Sequence, residues 1–167
     1  MFKGRAWKFD DDIDTDQIYP GEYLPLTDKE EMGKVAMSGV EGFADFSQRV
    51  SKGDILLAGG NFGCGSSREH AVVAIQYAGV SVVIAKSFAR IFYRNAVNLG
   101  YPILESEAVD HIGQNDELEV DADAGVIRDL TTGEEFPCTT LSGLELEISK
   151  AGGLIQYLNK ELEKGKG

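Results

Sequence analysis

The stretch DILLAGGNFGCGSSREHAVVAIQYAGVSVVIAKSFARIFYRNAVNLGYPIL (54–104) decides the fold. In it, three short apolar and β-branched runs alternate with two stretches at helical spacing. The predicted order is a strand at 54–59, a helix from about Ser67 to Tyr77, a strand at 80–87, a helix at 88–99 and a strand at 101–104. Strands that alternate with helices at this spacing predict right-handed parallel crossovers, and therefore an α/β core.

The flanking segments are expected to extend this core without forming a second domain. The predicted upstream elements are a strand at 4–9, an irregular stretch at 19–26, and a helix that Thr27 caps and that ends near Gly39. The predicted downstream elements are antiparallel strands within 116–123, 125–130 and 134–140, and a helical segment at 142–163 with a break at Gly152–Gly153 and a frayed tail. The prediction is one α/β domain over residues 1–167, with a parallel strand–helix–strand core and additional antiparallel strands.

The charge of the chain restricts its partners. A net charge of -12 disfavours nucleic acid and anionic membranes, because both attract basic surfaces. A site for an anionic substrate must then concentrate positive potential at a few arginines. The N-terminus has no apolar signal region, and no apolar run approaches the length of a membrane span. These features predict a soluble, cytoplasmic protein.

The residues that could bind metal are few. Cys64 and Cys138 are the only cysteines, and two thiols cannot supply the four ligands of a typical iron–sulfur cluster. His70 and His111 are the only histidines, and no second ligand is placed at metal-binding spacing from either. We therefore expect no cofactor and no metal site in this chain.

The Gly-rich turn (residues 59–68) lies between a predicted strand and a predicted helix. Its glycines can turn backbone N–H groups towards an anion, and the helix N-terminus adds its positive dipole end. Ser66 or Ser67 could cap the helix, with Glu69 returning to the cap. Arg68 offers a planar fork that matches a carboxylate. The turn lacks the endings of a phosphate-binding loop and of a dinucleotide fingerprint. A structural turn with a capped helix and an anion site both remain open from spacing alone.

Three longer strings carry a family resemblance. NFGCGSSREHA (61–71), KSFARIFYRNAVNLG (86–100) and DIDTDQIYP (12–20) closely resemble the small subunits of 3-isopropylmalate dehydratase and homoaconitase. These proteins are relatives of the swivelling C-terminal domain of aconitase, so the resemblance implies a swivelling β/β/α-type domain. It also implies a hydro-lyase of leucine biosynthesis that isomerises 2-isopropylmalate and 3-isopropylmalate by dehydration and rehydration. The enzyme would be active only with a large subunit, whose 4Fe–4S cluster grips the leaving hydroxyl as a Lewis acid.

The resemblance also implies roles for individual residues. Ser66 would be the base that removes the substrate proton, and Asp16 matches a family aspartate near that serine; a turn-forming carboxylate is the alternative for Asp16. Arg68 would bind a substrate carboxylate, with Ser67 beside it as a hydrogen-bond donor. Four further residues are expected to have supporting roles: His70 as a structural residue, Arg90 and Arg94 paired with acids such as Glu69, and Cys64 as a packing or redox-sensitive residue.

The loop of residues 21–27, which includes Pro25 and Leu26, is expected to determine which substrate is bound. In the family this loop contacts the substituent that differs between substrates, and homoaconitase-type subunits carry an arginine after the Tyr-Leu pair. An apolar pair cannot neutralise a carboxylate but could contact an alkyl branch. We therefore expect Pro25 and Leu26 to bind the isopropyl group of isopropylmalate. The alternatives are another alkylmalate, homoaconitate, or a non-catalytic anion-binding or regulatory module.

Overall fold

A computed structural model describes residues 1–139 and 143–166. The strands are β1 (Phe2–Lys8), β2 (Ile55–Ala58), β3 (Val82–Ala85), β4 (Ile103–Glu105), β5 (Glu117–Asp121), β6 (Val126–Asp129) and β7 (Glu135–Pro137). The helices are α1 (Thr15–Ile18), α2 (Lys29–Gly33), α3 (Phe46–Arg49), α4 (Glu69–Ala78), α5 (Arg90–Asn98), α6 (Gly143–Ala151) and α7 (Leu154–Lys166). Single 3-10 turns lie at Gly21–Tyr23 and Glu107–His111.

The seven strands form one mixed sheet in the order β4-β3-β2-β1-β5-β6-β7. The pairs β1–β2, β2–β3 and β3–β4 are parallel, while β5, β6 and β7 continue from β1 as an antiparallel ribbon. The crossovers through α4 and α5 give the parallel half, which confirms the predicted α/β class. The carboxyl end of β2 therefore opens directly into the Gly-rich turn, and α4 leads back towards β3.

The parallel strands β2 and β3 are buried on both faces of the sheet, to which successive strand residues point in turn. In β2, Leu56 and Ala58 belong to the core that α4 and α5 cover. Ile55 and Leu57 belong to a second core on the other face, which the 3-10 turn at Glu107–His111 and the antiparallel ribbon line. All four side chains are fully buried, as expected for a parallel strand covered on both faces.

The predicted elements exist, but several boundaries were wrong. The helix expected from Thr27 begins after Asp28, whose side chain accepts from Glu30 N–H at 2.9 Å, and it ends at Gly33. Asp28 is the better cap because its carboxylate reaches the N–H two residues on. The C-terminal helix continues to Lys166 without a frayed tail, and it breaks from α6 at Gly152–Gly153 as predicted. Residues 140 and 142, at the ends of two predicted segments, lie outside the described residues.

No helix in the described residues is long and apolar enough to cross a membrane.

Candidate active site

The Gly-rich turn is held between the segment before α1 and the segment after β3. Gly63 N–H donates to the Ile13 carbonyl at 2.8 Å, and Thr15 N–H donates to the Cys64 carbonyl at 2.8 Å. On the other side, Phe62 N–H donates to the Ser87 carbonyl at 3.1 Å. The three sequence strings that carry the family resemblance therefore meet at one end of the sheet, around a single backbone turn.

Gly63 is the position in this turn where a side chain is least tolerated. Its φ is +84°, a left-handed conformation that residues with a Cβ rarely adopt. A Cβ at this position would also overlap the side chain of Phe92 on α5. Gly65 has a φ of +96° as well, so two left-handed residues precede Ser66. Gly63 lies against Phe92 of α5, whereas residues 65–67 are exposed.

Ser66 and Ser67 precede α4 and are both exposed. The prediction that one of them caps the helix was wrong: the N-cap residue is Arg68, and no side chain accepts from the first turn. The predicted return of Glu69 to a serine cap is therefore absent as well. The two serines follow the left-handed glycines Gly63 and Gly65 and lie ahead of the N-cap position, which Arg68 occupies. Within the described residues, neither serine hydroxyl forms a hydrogen bond, so both remain free to meet a ligand.

Arg68 turns back from the helix towards α1. Its Nη1 donates to Asp16 Oδ1 at 2.6 Å and to the Tyr19 carbonyl at 3.0 Å. Gly21 N–H donates to the same Asp16 oxygen at 3.1 Å. The hydrogen bond from Arg68, followed by the one from Gly21, holds the pKa of the Asp16 carboxyl below its usual value. Asp16 therefore remains an anion that fixes one nitrogen of the guanidinium.

The Arg68 guanidinium has a second edge, formed by Nε and Nη2. Its side chain is 19% exposed, and Nε and Nη2 make no hydrogen bond to any residue that the structure describes. A guanidinium presents parallel N–H groups along this edge, which match the two oxygens of a carboxylate. The structure thus brings Asp16, Ser66, Ser67 and Arg68 to one surface and leaves a bidentate fork free beside two unengaged hydroxyls.

His70 and Cys64 lie next to the site, and the sequence predicted a supporting role for each. The ring of His70 stacks on the ring of Tyr19, with centroids 5.3 Å apart, in agreement with a structural role. Cys64 is half-buried, and burial together with the nearby Asp14 and Asp12 carboxylates raises the pKa of its thiol. The thiol form is therefore favoured at neutral pH.

The prediction that Arg90 and Arg94 pair with Glu69 was wrong. Both arginines are exposed, and neither makes an ion pair in the part of the chain that the structure describes. Helix α5 buries Phe92, Ala96 and Val97, so positions 90 and 94 fall on its outer face. The outer face of α5 therefore carries two exposed cations four residues apart, in a chain with a net charge of -12.

The predicted substrate loop contains a tight turn, the Tyr23–Leu26 turn. Leu26 N–H donates to the Tyr23 carbonyl at 3.0 Å, which places Leu24 and Pro25 at the tip. Pro25 is exposed, and Leu24 is 39% exposed. The predicted pair is therefore divided: Leu26 is partly buried and packs against the hydrophobic core, and Leu24 takes its place beside Pro25 on the surface.

Tyr19 is a site residue that sequence reasoning missed. It is fully buried, its carbonyl accepts from Arg68, and its hydroxyl donates to the Tyr23 carbonyl. The available signal was the four-residue spacing of Tyr19 and Tyr23, which allows two aromatic residues to meet across one turn of chain. An open cavity of about 290 Å³ adjoins this region; it is lined by Thr27, Lys29, Met32, Glu69, His70 and Val73.

A profile of the aconitase C-terminal domain matches residues 12–107, the part of the chain that holds this site. The small subunit 1 of 3-isopropylmalate dehydratase from Thermotoga maritima is 52% identical over 96% of both chains. The isopropylmalate/citramalate isomerase small subunit of Methanocaldococcus jannaschii is 48% identical over 97% of this chain and 96% of that one. A crystal structure of 3-isopropylmalate dehydratase from M. jannaschii superimposes with a TM-score of 0.93 at 48% identity, over 99% of both chains. The chain therefore belongs to the aconitase C-terminal domain family, among the small subunits of 3-isopropylmalate dehydratase.

Proposed function

We propose that this chain, together with a large subunit, isomerises 2-isopropylmalate and 3-isopropylmalate in leucine biosynthesis, and that it does so in the cytoplasm. The observation that carries the proposal is that the Nε–Nη2 edge of the Arg68 guanidinium makes no hydrogen bond to the described residues, next in sequence to the exposed Ser66 and Ser67. The reaction needs one group that fixes a carboxylate and one group that takes the proton from the carbon next to it. The names of the relatives support the same reaction class.

Ser66 is proposed as the base. As the alkoxide, its oxygen accepts the proton from the substrate carbon, the electron pair of the broken C–H bond forms the carbon–carbon double bond, and the hydroxyl group leaves the adjacent carbon with the electron pair of the C–O bond. The proton and the hydroxide together make the one water that is lost. Isomerisation is complete when the hydroxide adds to the carbon that lost its proton and the proton adds to the carbon that lost its hydroxyl group. A serine oxygen needs stabilisation as an alkoxide, for which the uncapped N-terminus of α4 and Arg68 are available. Gly63 N–H is already engaged by Ile13, so it contributes nothing to this.

Arg68 is proposed to bind the carboxylate next to the carbon that loses its proton, and Ser67 to donate a hydrogen bond beside it. Asp16 supports this role because it fixes Nη1 and leaves Nε and Nη2 for the substrate. Since a fixed fork holds its ligand in one orientation, the acidic carbon is kept near Ser66. Asp16 thus acts through Arg68 in this proposal.

A 4Fe–4S cluster does not fit the residues of this chain. The sequence contains two cysteines, and burial raises the pKa of both thiols, which disfavours the thiolate form that binds iron. We therefore propose that the cluster belongs to the large subunit, as in the aconitase family. The part of the reaction assigned to this chain is proton transfer and carboxylate binding.

The substrate is proposed to carry an alkyl branch. Leu24 and Pro25 form an apolar tip, and neither side chain could offset the desolvation of a third carboxylate placed against it. This disfavours homoaconitate. A methyl-branched malate remains the second candidate, because the M. jannaschii relative is named for citramalate as well as isopropylmalate. A non-catalytic anion-binding module is disfavoured, because it would not require Ser66, Ser67 and Arg68 on one surface.

The experiment is co-purification with the large subunit from the same genome, followed by assay of a panel of substrates. We expect the highest kcat/KM for 3-isopropylmalate, a lower value for 3-methylmalate, and the lowest for homocitrate. The small subunit alone should be inactive on all three. Higher activity with homocitrate than with 3-isopropylmalate would overturn the substrate assignment. A cluster-loaded pair that dehydrates none of them would overturn the proposed function.

A further inference from the structure

Tyr19 connects the two parts of the candidate site. Its backbone carbonyl accepts a hydrogen bond from Arg68 Nη1 at 3.0 Å, and its phenol hydroxyl donates to the Tyr23 carbonyl. Its ring is fully buried and stacks on His70, 24° from parallel. A single rigid residue therefore contacts the carboxylate fork at one end and the Tyr23–Leu26 turn at the other.

The backbone hydrogen bonds of the Tyr23–Leu26 turn are local. Tyr23 N–H donates to the Pro20 carbonyl at 3.0 Å, Leu24 N–H to the Gly21 carbonyl at 3.1 Å, and Leu26 N–H to the Tyr23 carbonyl at 3.0 Å. These bonds shape residues 20–26, but they do not tie the tip to the residues that hold Arg68. The Tyr19 hydroxyl, which donates to the Tyr23 carbonyl, makes that connection from outside the segment. The position of the exposed tip relative to Arg68 therefore depends on the Tyr19 hydroxyl.

We propose that Tyr19 is a positioning residue that determines how large an alkyl branch the enzyme accepts, because it fixes the tip of the Tyr23–Leu26 turn relative to Arg68. This inference rests on the proposed function, in which Arg68 binds a carboxylate and the tip contacts the branch. A substrate held at both points must match the distance between them. Isopropyl and methyl branches differ by two carbons, so a fixed tip distinguishes them by contact.

The environment of Tyr19 supports this role. Burial raises the pKa of its phenol, so the hydroxyl remains protonated and can donate at neutral pH. A buried hydroxyl without a partner is costly, which favours the observed bond over alternative arrangements of the turn. The ring is fully buried and stacks on His70, which restricts its movement.

The test is Tyr19→Phe in the complex with the large subunit, with Tyr101→Phe as a matched control. Tyr101 is also buried, and its hydroxyl also donates to a backbone carbonyl, that of Val80 at 2.6 Å. This bond holds the start of the segment leading into β4, away from the contacts of Arg68. Both substitutions therefore delete one buried hydroxyl, but only the first loosens the Tyr23–Leu26 turn.

The quantity to measure is the ratio of kcat/KM for 3-isopropylmalate to that for 3-methylmalate. Loss of one neutral hydrogen bond corresponds to roughly a twofold to tenfold change. We expect Tyr19→Phe to lower the ratio by this factor, through a higher KM for 3-isopropylmalate with kcat nearly unchanged, and Tyr101→Phe to leave the ratio at the wild-type value. An unchanged ratio in Tyr19→Phe, or an equal change in both variants, would overturn the inference alone. A wild-type complex inactive on both substrates would overturn the proposed function and the inference with it.

Discussion

The Gly-rich turn and the Tyr23–Leu26 turn lie on either side of Arg68, and they are built in different ways. The Gly-rich turn is held from two sides: its glycines allow left-handed conformations, its peptide groups pair with the backbone of the segments of Ile13 and Ser87, and the side chains of Asp11 and Ser87 accept further hydrogen bonds from it. The backbone hydrogen bonds of the Tyr23–Leu26 turn stay within residues 20–26, and the hydroxyl of Tyr19 joins it to the end of α1. The first turn has little freedom to change with substitution, whereas the second can change with a few side chains.

This difference suggests how the two functions are divided. A backbone-determined turn suits the part of the reaction that all substrates share, namely carboxylate binding and proton transfer. A local turn whose position depends on a side-chain hydroxyl suits the part that differs between substrates. The Arg68 guanidinium belongs to both, since it begins at the end of the Gly-rich turn and bonds to Asp16 and to the Tyr19 carbonyl.

The largest expected effect is that of Ser66→Ala. If Ser66 is the base, turnover by the complex should fall by about 10²–10⁴-fold, the usual contribution of a positioned acid or base. The measurement is kcat with 3-isopropylmalate in the reconstituted complex, with Ser67→Ala as the neighbouring control, which should lose less. The spectrum of the large subunit's cluster should remain the same. Turnover near the wild-type level would move the base to another residue.

A smaller effect is expected from Pro25→Arg, which places a cation at the tip of the Tyr23–Leu26 turn. A new charge-assisted hydrogen bond is worth about 1.5–3 kcal/mol. The ratio of kcat/KM for homocitrate to that for 3-isopropylmalate should therefore rise by roughly tenfold to a hundredfold. The ratio is the useful quantity, because loss of the proline also loosens the turn and lowers both activities. If the ratio stays constant, the tip does not contact the branch.

The smallest expected effect is the difference in stability between Gly63→Ala and Gly42→Ala, which separates the cost of the left-handed conformation from the cost of packing. Gly63 and Gly42 have nearly the same φ, +84° and +85°, but a Cβ at Gly63 overlaps Phe92, whereas no atom of the described residues lies within 4 Å of a Cβ at Gly42. Both Gly→Ala changes incur the left-handed penalty of about 1–2 kcal/mol.

Only Gly63→Ala adds overpacking, which costs about 1–3 kcal/mol further. Urea unfolding of the isolated subunit should show this difference in the free energy of unfolding between the two variants. Equal destabilisation by both would mean that the Gly-rich turn can move away from α5, and it would contradict the rigid turn described above.

The sequence predicted the parallel half of the fold because its signals are local. Fully apolar four-residue strands such as β2 and β3 alternate with ten-residue helical stretches, and one segment of 51 residues (54–104) contains all of them. The Gly-rich turn was also predictable, since its glycines are visible in the sequence and the family resemblance runs through it.

The contacts that complete the site were not predictable in this way. The Arg68–Asp16 pair joins residues 52 positions apart, and the hydroxyl bond of Tyr19 depends on how a Pro-rich stretch folds on itself. The helix cap was misplaced because a serine can cap only if the preceding backbone aims it, and two left-handed glycines aim it elsewhere. The outward direction of Arg90 and Arg94 follows from which face of α5 is buried, a tertiary property.

The division of the chemistry between the two turns can be tested with one ratio. The ratio of kcat/KM for 3-isopropylmalate to that for 3-methylmalate is determined in the same preparation for the wild type, Ser66→Ala and Pro25→Arg. If the turns divide the chemistry, Ser66→Ala lowers both values by the same factor and leaves the ratio unchanged, while Pro25→Arg changes it. A ratio that moves in Ser66→Ala and stays fixed in Pro25→Arg would contradict this division.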